Sequence, residues 1–344
     1  MAQSVQFFYR LADAAAYLGI ELPAELARVE ERYPVLLNSY YLDLIDKAAV
    51  PDDPIWKQCM PDPAELADVE SSPDPLAEER QSAVPRLIHR FGDRVVLLTT
   101  GHCLMRCRFC FRKRTWSDGG ELGVISAAEF EAALDYLRRH PEIHEVLLSG
   151  GDPLTLPVET LRRMLTALDH LPQIEVIRIG SRVPVTLPSA FSDELLELLR
   201  TFESIWLLTH FNHPREVTGE AAALCRRLVR SGIPVLNQTV LLKGVNDSPP
   251  VLEELFRRLI ALRVKPHYLF HVDPVRGVRH FATGIEAGLA ALRYFRPRLS
   301  SLAVPAFAID LPEGGGKVAL QPDYSRDGRY PGVDAPDHWI VYPD

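Results

Sequence analysis

Six short β-rich runs, at residues 95–100, 145–149, 175–180, 205–209, 235–242 and 267–272, alternate with amphipathic stretches along this chain. From the second run onward their starts fall about 30 residues apart, the length of one strand–helix unit. The intervening segments read as helices. Ser126 and Glu129 form a capping box ahead of Phe130, Leu134 and Leu137 on one face, and residues 193–202, 220–230, 251–262 and 285–294 show similar patterns. Repeated units of this kind bury their apolar faces as a parallel α/β barrel, complete or open, or as a doubly wound sheet. Periodicity alone does not separate the two. Either way, the functional site belongs at the strands' C-terminal ends.

The chemistry-bearing motifs sit at those ends. Cys103, Cys107 and Cys110, spaced C-x3-C-x2-C, follow the first run; Gly150, Gly151, Asp152 and Pro153 follow the second; His210 follows the fourth; Asp273 follows the sixth. Three of only five cysteines within eight residues are more than scattered packing. Three thiolates can hold three irons of a four-iron cluster and leave the fourth iron open. A zinc site with His102, or a redox thiol group, is the competing reading, but zinc sites usually pair two C-x2-C units. Phe109 and Phe111 would shield a cluster from solvent. Taken alone, Gly150-Gly-Asp-Pro is an ordinary strand-end turn.

Near the C-terminus, Pro312-Glu-Gly-Gly-Gly-Lys317 invites a phosphate-loop reading, which Leu311 and Val318 exclude. What remains is a glycine turn with a surface lysine, or a lysine placed to form a Schiff base with a carbonyl cofactor.

Together these segments resemble the lysine 2,3-aminomutase family of radical S-adenosylmethionine enzymes. The match runs roughly from residue 72 to 323. It includes His89-Arg-Phe-Gly-Asp-Arg94, the three cysteines, His210-Phe-Asn-His-Pro214, Asn237-Gln238, Gly244-Val-Asn-Asp247, Asp273 ahead of His280-Phe281, and the Lys317 run. The resemblance implies a partial (β/α)6 parallel barrel of the radical SAM type over residues 89–300. An N-terminal helical extension and wrapping connector (1–88) would precede it, and a C-terminal segment (301–344) would carry the cofactor lysine. It also implies a [4Fe-4S] cluster on Cys103, Cys107 and Cys110, with S-adenosylmethionine chelating the open iron. Gly150, Gly151 and Asp152 would contact that cofactor's amino group, and His210 and Gln238 would line its pocket. Lys317 would carry pyridoxal 5′-phosphate, with Arg90 and Arg94 on the phosphate, a good match for guanidinium forks. Arg112 would pair with the substrate carboxylate, and Asp273 and Asp310 with the distal ammonium of lysine. The implied activity is conversion of L-lysine to β-lysine; aminomutases acting on arginine or glutamate, and a zinc or nucleic-acid-binding module, are the alternatives.

Longer family members carry a structural zinc on C-terminal cysteines and one beside the Gly-Val-Asn-Asp segment. Here Ser248 follows that segment and no cysteine follows Cys225, so no structural zinc is expected. The length resembles the branch associated with elongation factor P. A net charge of −8 argues against a general nucleic-acid binder. The basic run Arg106, Arg108, Arg112, Lys113 and Arg114 is therefore expected to neutralise an anionic cluster, cofactor and carboxylate. Without an apolar membrane span or a disulfide framework, the chain reads as cytoplasmic. Its expected partners are a free amino acid and an external reductant such as flavodoxin or ferredoxin, and a homo-oligomer is compatible with the sequence.

Overall fold

The computed structural model describes residues 5–117, 122–333 and 338–343. Its main sheet has ten strands. They begin with Ser82–Val84 (β1) and Leu87–Phe91 (β2). Six follow at the expected positions: Arg94–Thr100 (β3), Glu145–Gly150 (β4), Val176–Gly180 (β5), Ile205–Thr209 (β6), Val235–Leu241 (β7) and Lys265–His271 (β8). The sheet ends with Ala306–Leu311 (β9) and Gly316–Leu320 (β10).

Spatial order follows chain order from β1 to β10 without reversal. A doubly wound sheet reverses direction at a switch point, so the barrel reading is the one realised. Strands β3 to β9 are parallel neighbours, while β1, β2 and β10 join antiparallel at the two edges. Those edges meet through side chains. Arg80 Nη2 donates to the Glu313 carbonyl at 2.7 Å, and Arg90 Nη1 lies 3.8 Å from Asp310 Oδ1. A Cβ built on Gly316 would lie 3.5 Å from the Phe91 ring. The sheet is thus curled into a barrel that side chains, rather than a hydrogen-bond ladder, bring together.

Strand alternation divides the residues between two layers. Val95, Leu97, Val146, Leu148, Ile177, Ile179 and Leu207 are buried in one core cluster with Leu134 and Leu137 of helix Ala127–Arg139 and Leu161 and Leu165 of helix Val158–Asp169. The Ser126–Glu129 capping box is formed as expected, each side chain bonded to the other residue's backbone N–H. The alternate residues Arg94, Leu147, Ser149, Arg178 and Gln238 stay only partly buried, so the barrel's inner face is rich in polar groups.

The N-terminal region holds short helices, among them Leu11–Leu18, Leu26–Arg32, Pro54–Cys59 and Ala64–Ala67. Helix Leu26–Arg32 ends just ahead of Pro34, and the two-residue strand Leu37–Asn38 follows. No helix among the described residues is long and apolar enough to cross a membrane.

Candidate active site

The cysteine loop leaves the end of β3 and is clamped against the end of β4. Gly151 N–H donates to the Thr100 carbonyl at 2.5 Å, and Asp152 N–H to the His102 carbonyl at 2.7 Å. The contact is too close for side chains. A Cβ on Gly151 would lie 2.3 Å from the His102 oxygen; one on Gly150, whose φ is +119°, would lie 2.3 Å from the Thr100 oxygen. Both glycines therefore serve close backbone approach. Gly151→Ala should destabilise the protein by about 1–3 kcal/mol through overpacking and lower its iron content after reconstitution. Gly92→Ala, with nothing within 4 Å of the added carbon, is the near-neutral control. Equal melting temperatures and iron contents for the two variants would refute this account.

The Asp152 carboxylate is buried and already engaged: Oδ1 accepts the Leu154 N–H, and Oδ2 those of Arg182 (2.7 Å) and Val183 (3.1 Å). Asp152 thus braces the turn that follows β4.

Cys103, Cys107 and Cys110 are all free thiols and half-buried. Burial, with Asp152 and the other two sulfurs nearby, pushes the Cys103 thiol well above the ordinary range. Burial also raises Cys107, against the pull of Arg182. Among the described residues no three His, Cys, Asp or Glu side chains converge on one metal ion.

Four of the five cations of the basic run are paired with carboxylates. Arg108 reaches the buried Glu65 through Nε (2.9 Å) and Nη2 (2.6 Å), and Lys113 reaches the same carboxylate at 2.5 Å. Arg112 grips Glu78 through Nε (3.0 Å) and Nη2 (2.7 Å), with Nη1 on Ser149 Oγ at 2.9 Å. Arg114 pairs with Asp74, Glu78 and Glu79. Carboxylates from residues 65–79 thus take up these cations. The physical reason is burial: Arg108, Arg112 and Lys113 are 0–5% exposed, and unpaired charges there would be costly. For Arg112, Glu78 holds the bidentate face of the guanidinium.

At the far end of the sheet, the hairpin of β9 and β10 sets Asp310 opposite Lys317 in register, and Lys317 Nζ donates to Asp310 Oδ2 at 2.7 Å. Burial lowers the Lys317 ammonium below the usual lysine range, with Asp310 opposing. Its ammonium also lies 4.0 Å from the Phe270 ring centroid and 5.1 Å from that of Tyr268. Asp273, just past β8, is pushed up to about 7 by burial and by the neighbouring Asp310 charge. Both aspartates line a cavity of about 480 Å³ with apolar Val272, Ile309 and Pro312. Arg90 is held by the Gln81 side chain and the Leu76 carbonyl beside Asp310. Arg94 stacks on Phe91, its guanidinium 4.3 Å from the ring centroid.

Two residues there carried no sequence signal. Arg178 on β5 pairs with Glu145. His267 on β8 is lowered to about 4 by burial and by Arg178, Lys265 and Lys317. Burial does most of this, but the three neighbouring cations also make the surroundings positive, which suits a phosphate group.

His210, after β6, packs on Phe109 with ring centroids 5.4 Å apart. Its Nε2 is buried without a hydrogen-bond partner, and burial with Arg182 lowers its pKa to about 3. A neutral, orphaned ring nitrogen beside the cysteine loop fits a pocket that a ligand completes. Gln238 lies on β7, half-buried on the inner face. The structure therefore sets His210 beside the cysteine loop, and brings Lys317, Asp273 and Asp310 together with Arg90 where the two edges of the sheet meet.

Residues 97–256 match the Radical SAM superfamily. The chain is 42% identical to the L-lysine 2,3-aminomutase of Clostridium subterminale over 84% of this chain and 69% of that one. It is 40% identical to the L-lysine 2,3-aminomutase of Acetoanaerobium sticklandii over 90% and 77%. It is also 37% identical to the glutamate 2,3-aminomutase of Clostridioides difficile over 84% and 68%. The chain belongs to the lysine 2,3-aminomutase family of radical S-adenosylmethionine isomerases, enzymes that work with a four-iron cluster, S-adenosylmethionine and pyridoxal phosphate.

Proposed function

We propose that this protein moves the α-amino group of L-lysine to the β-carbon, giving β-lysine. The observation that carries the substrate is the acid pair at the ends of β8 and β9. Asp310 already holds an ammonium, that of Lys317, and Asp273 faces the same cavity. The ω-ammonium of lysine has the same chemistry. A glutamate side chain would set a third carboxylate against these two.

When bound, the cluster with S-adenosylmethionine supplies a hydrogen-abstracting radical, and pyridoxal phosphate supplies the carbonyl and imine chemistry for nitrogen migration. In the reading proposed, Cys103, Cys107 and Cys110 hold the cluster, while the Gly150–Gly151 backbone, His210 and Gln238 border the S-adenosylmethionine pocket. Lys317, whose ammonium burial makes easier to deprotonate, holds the pyridoxal group. Arg90 and Arg94, with the positive field around His267, hold its phosphate. Arg112 can meet a substrate carboxylate only by sharing its guanidinium with Glu78 or releasing it. Phe109 against His210, and Phe270 and Tyr268 against Lys317, exclude water and stray hydrogen donors. The same reading includes a cytoplasmic setting and a low-potential one-electron donor of the flavodoxin or ferredoxin type.

The deciding experiment incubates the anaerobically reconstituted protein with both cofactors, reductant and, in separate vessels, lysine, arginine or glutamate. β-Lysine as the dominant product is expected. Turnover of glutamate or arginine ahead of lysine would reassign the substrate.

A further inference from the structure

Arg182 stands two residues past β5, in none of the motifs above, and makes five hydrogen bonds at the cysteine end of the barrel. Its Nε donates to the His210 carbonyl at 3.1 Å. Its Nη2 faces Glu216 Oε1 (2.6 Å), Gln58 Oε1 (2.8 Å) and the Tyr41 hydroxyl (3.2 Å). Its Nη1 donates to Cys107 Sγ at 2.9 Å.

Each partner is fixed in turn. The Tyr41 hydroxyl donates to Glu216 Oε1 at 2.6 Å, and Glu216 Oε2 accepts the backbone N–H groups of Asn212 and His213. The Asn212 amide donates to Gln58 Oε1 at 3.0 Å. The Phe109 ring packs 5.0 Å from the guanidinium carbon. Tyr41, Gln58 and Glu216 are fully buried and Arg182 nearly so. Contacts from the N-terminal region, the cysteine loop and the loop after β6 therefore fix the guanidinium plane, and Nη1–H with it.

Glu216 offsets the charge of Arg182, so the pair needs no third ion to be tolerated in the interior. The N–H bond aimed at sulfur remains as a directed dipole. A hydrogen bond to a cluster thiolate draws electron density from sulfur and favours the more negative, reduced cluster. Resting on the reading of Cys103, Cys107 and Cys110 as cluster ligands, we propose that Arg182 is a positioning residue. Through the Nη1–H to Cys107 Sγ hydrogen bond it raises the reduction potential of the cluster, easing its reduction by a low-potential one-electron donor. One electron enters the cluster in this step; no bond forms or breaks and no proton moves. Tyr41, Gln58 and Glu216 act through Arg182.

The test is an EPR-monitored potentiometric titration of the reconstituted protein without S-adenosylmethionine, so that altered cofactor affinity cannot imitate a shift. Removing Arg182 alone would strand the buried Glu216 charge, so two variants are compared with the parent. Arg182→Lys keeps the charge but loses the fixed fork, and Arg182→Gln with Glu216→Gln keeps the site neutral. Iron and sulfide are counted in each. Both variants should retain about four irons. At a fixed poise, their ratio of reduced to oxidised cluster should fall at least about threefold, a shift to more negative potential. Full iron with an unshifted potential overturns the proposal and leaves the cluster reading intact. Iron loss from both variants with unchanged melting also overturns it, since Arg182 would then hold the loop rather than tune the cluster. A parent chain without iron and sulfide would instead overturn the cluster reading itself.

Discussion

Glu65→Gln should cost about 3–5 kcal/mol of stability, measured by denaturant unfolding, and should sharply reduce cluster loading. The Glu65 carboxylate is bonded to both Arg108 and Lys113, all three side chains being almost wholly removed from solvent. Burial by itself would raise the Glu65 pKa; the two cations more than offset this and leave it below the usual carboxylate range. Burial lowers Lys113 to about 8 even with Glu65 beside it. Neutralising Glu65 therefore leaves two buried cations facing one amide. Arg108 and Lys113 flank Cys110, so their strain falls on the cysteine loop proposed to hold the cluster. Glu79→Gln, at a carboxylate 76% exposed and paired with Arg114, is the control and should change stability by less than about 0.5 kcal/mol. Similar unfolding midpoints for the two variants would show that the buried triad does not hold the loop.

That triad also marks where sequence reading stops. The strand–helix rhythm set the six central strands almost to the residue because each amphipathic unit declares itself locally. The capping box at Ser126 did the same. Strands β9 and β10 went unread as strands: both lie in the segment read for its lysine, and the glycines between them look like a turn. Yet this hairpin is what puts Lys317 opposite Asp310. The arginines near the cysteines were legible as charges but not as pairs. Their acids lie 34 to 48 residues earlier, in a proline-rich segment with no periodicity to fix its path. Arg182 had no signal at all, since its partners come from positions 41, 58, 107, 210 and 216. Local patterns specify elements; long-range charge pairing emerges only when the fold is complete.

Asp273 supplies the second large effect. Lysine kcat/KM should rise with pH through an apparent pKa near 7, and Asp273→Asn should abolish that limb and lower kcat/KM at pH 8 by roughly 10–100-fold. Burial and the adjacent Asp310 charge raise this carboxyl from 3.8 to about 7. The sign follows directly. A carboxyl raised in the folded protein contributes stability below pH 3.8, and that contribution is lost as pH climbs through 7, because ionising it in place is unfavourable. An incoming ammonium reverses the balance by pairing with the ionised form. Lysine should therefore raise the melting temperature more at pH 8 than at pH 6, while its side-chain ammonium, with a pKa near 10.4, stays charged throughout. Pyridoxal loading, followed by absorbance, should change far less in Asp273→Asn than lysine use does. If the limb near pH 7 survives in Asp273→Asn, another group governs it; if cofactor loading and lysine turnover fall together, Asp273 supports the fold of the site rather than recognising the substrate.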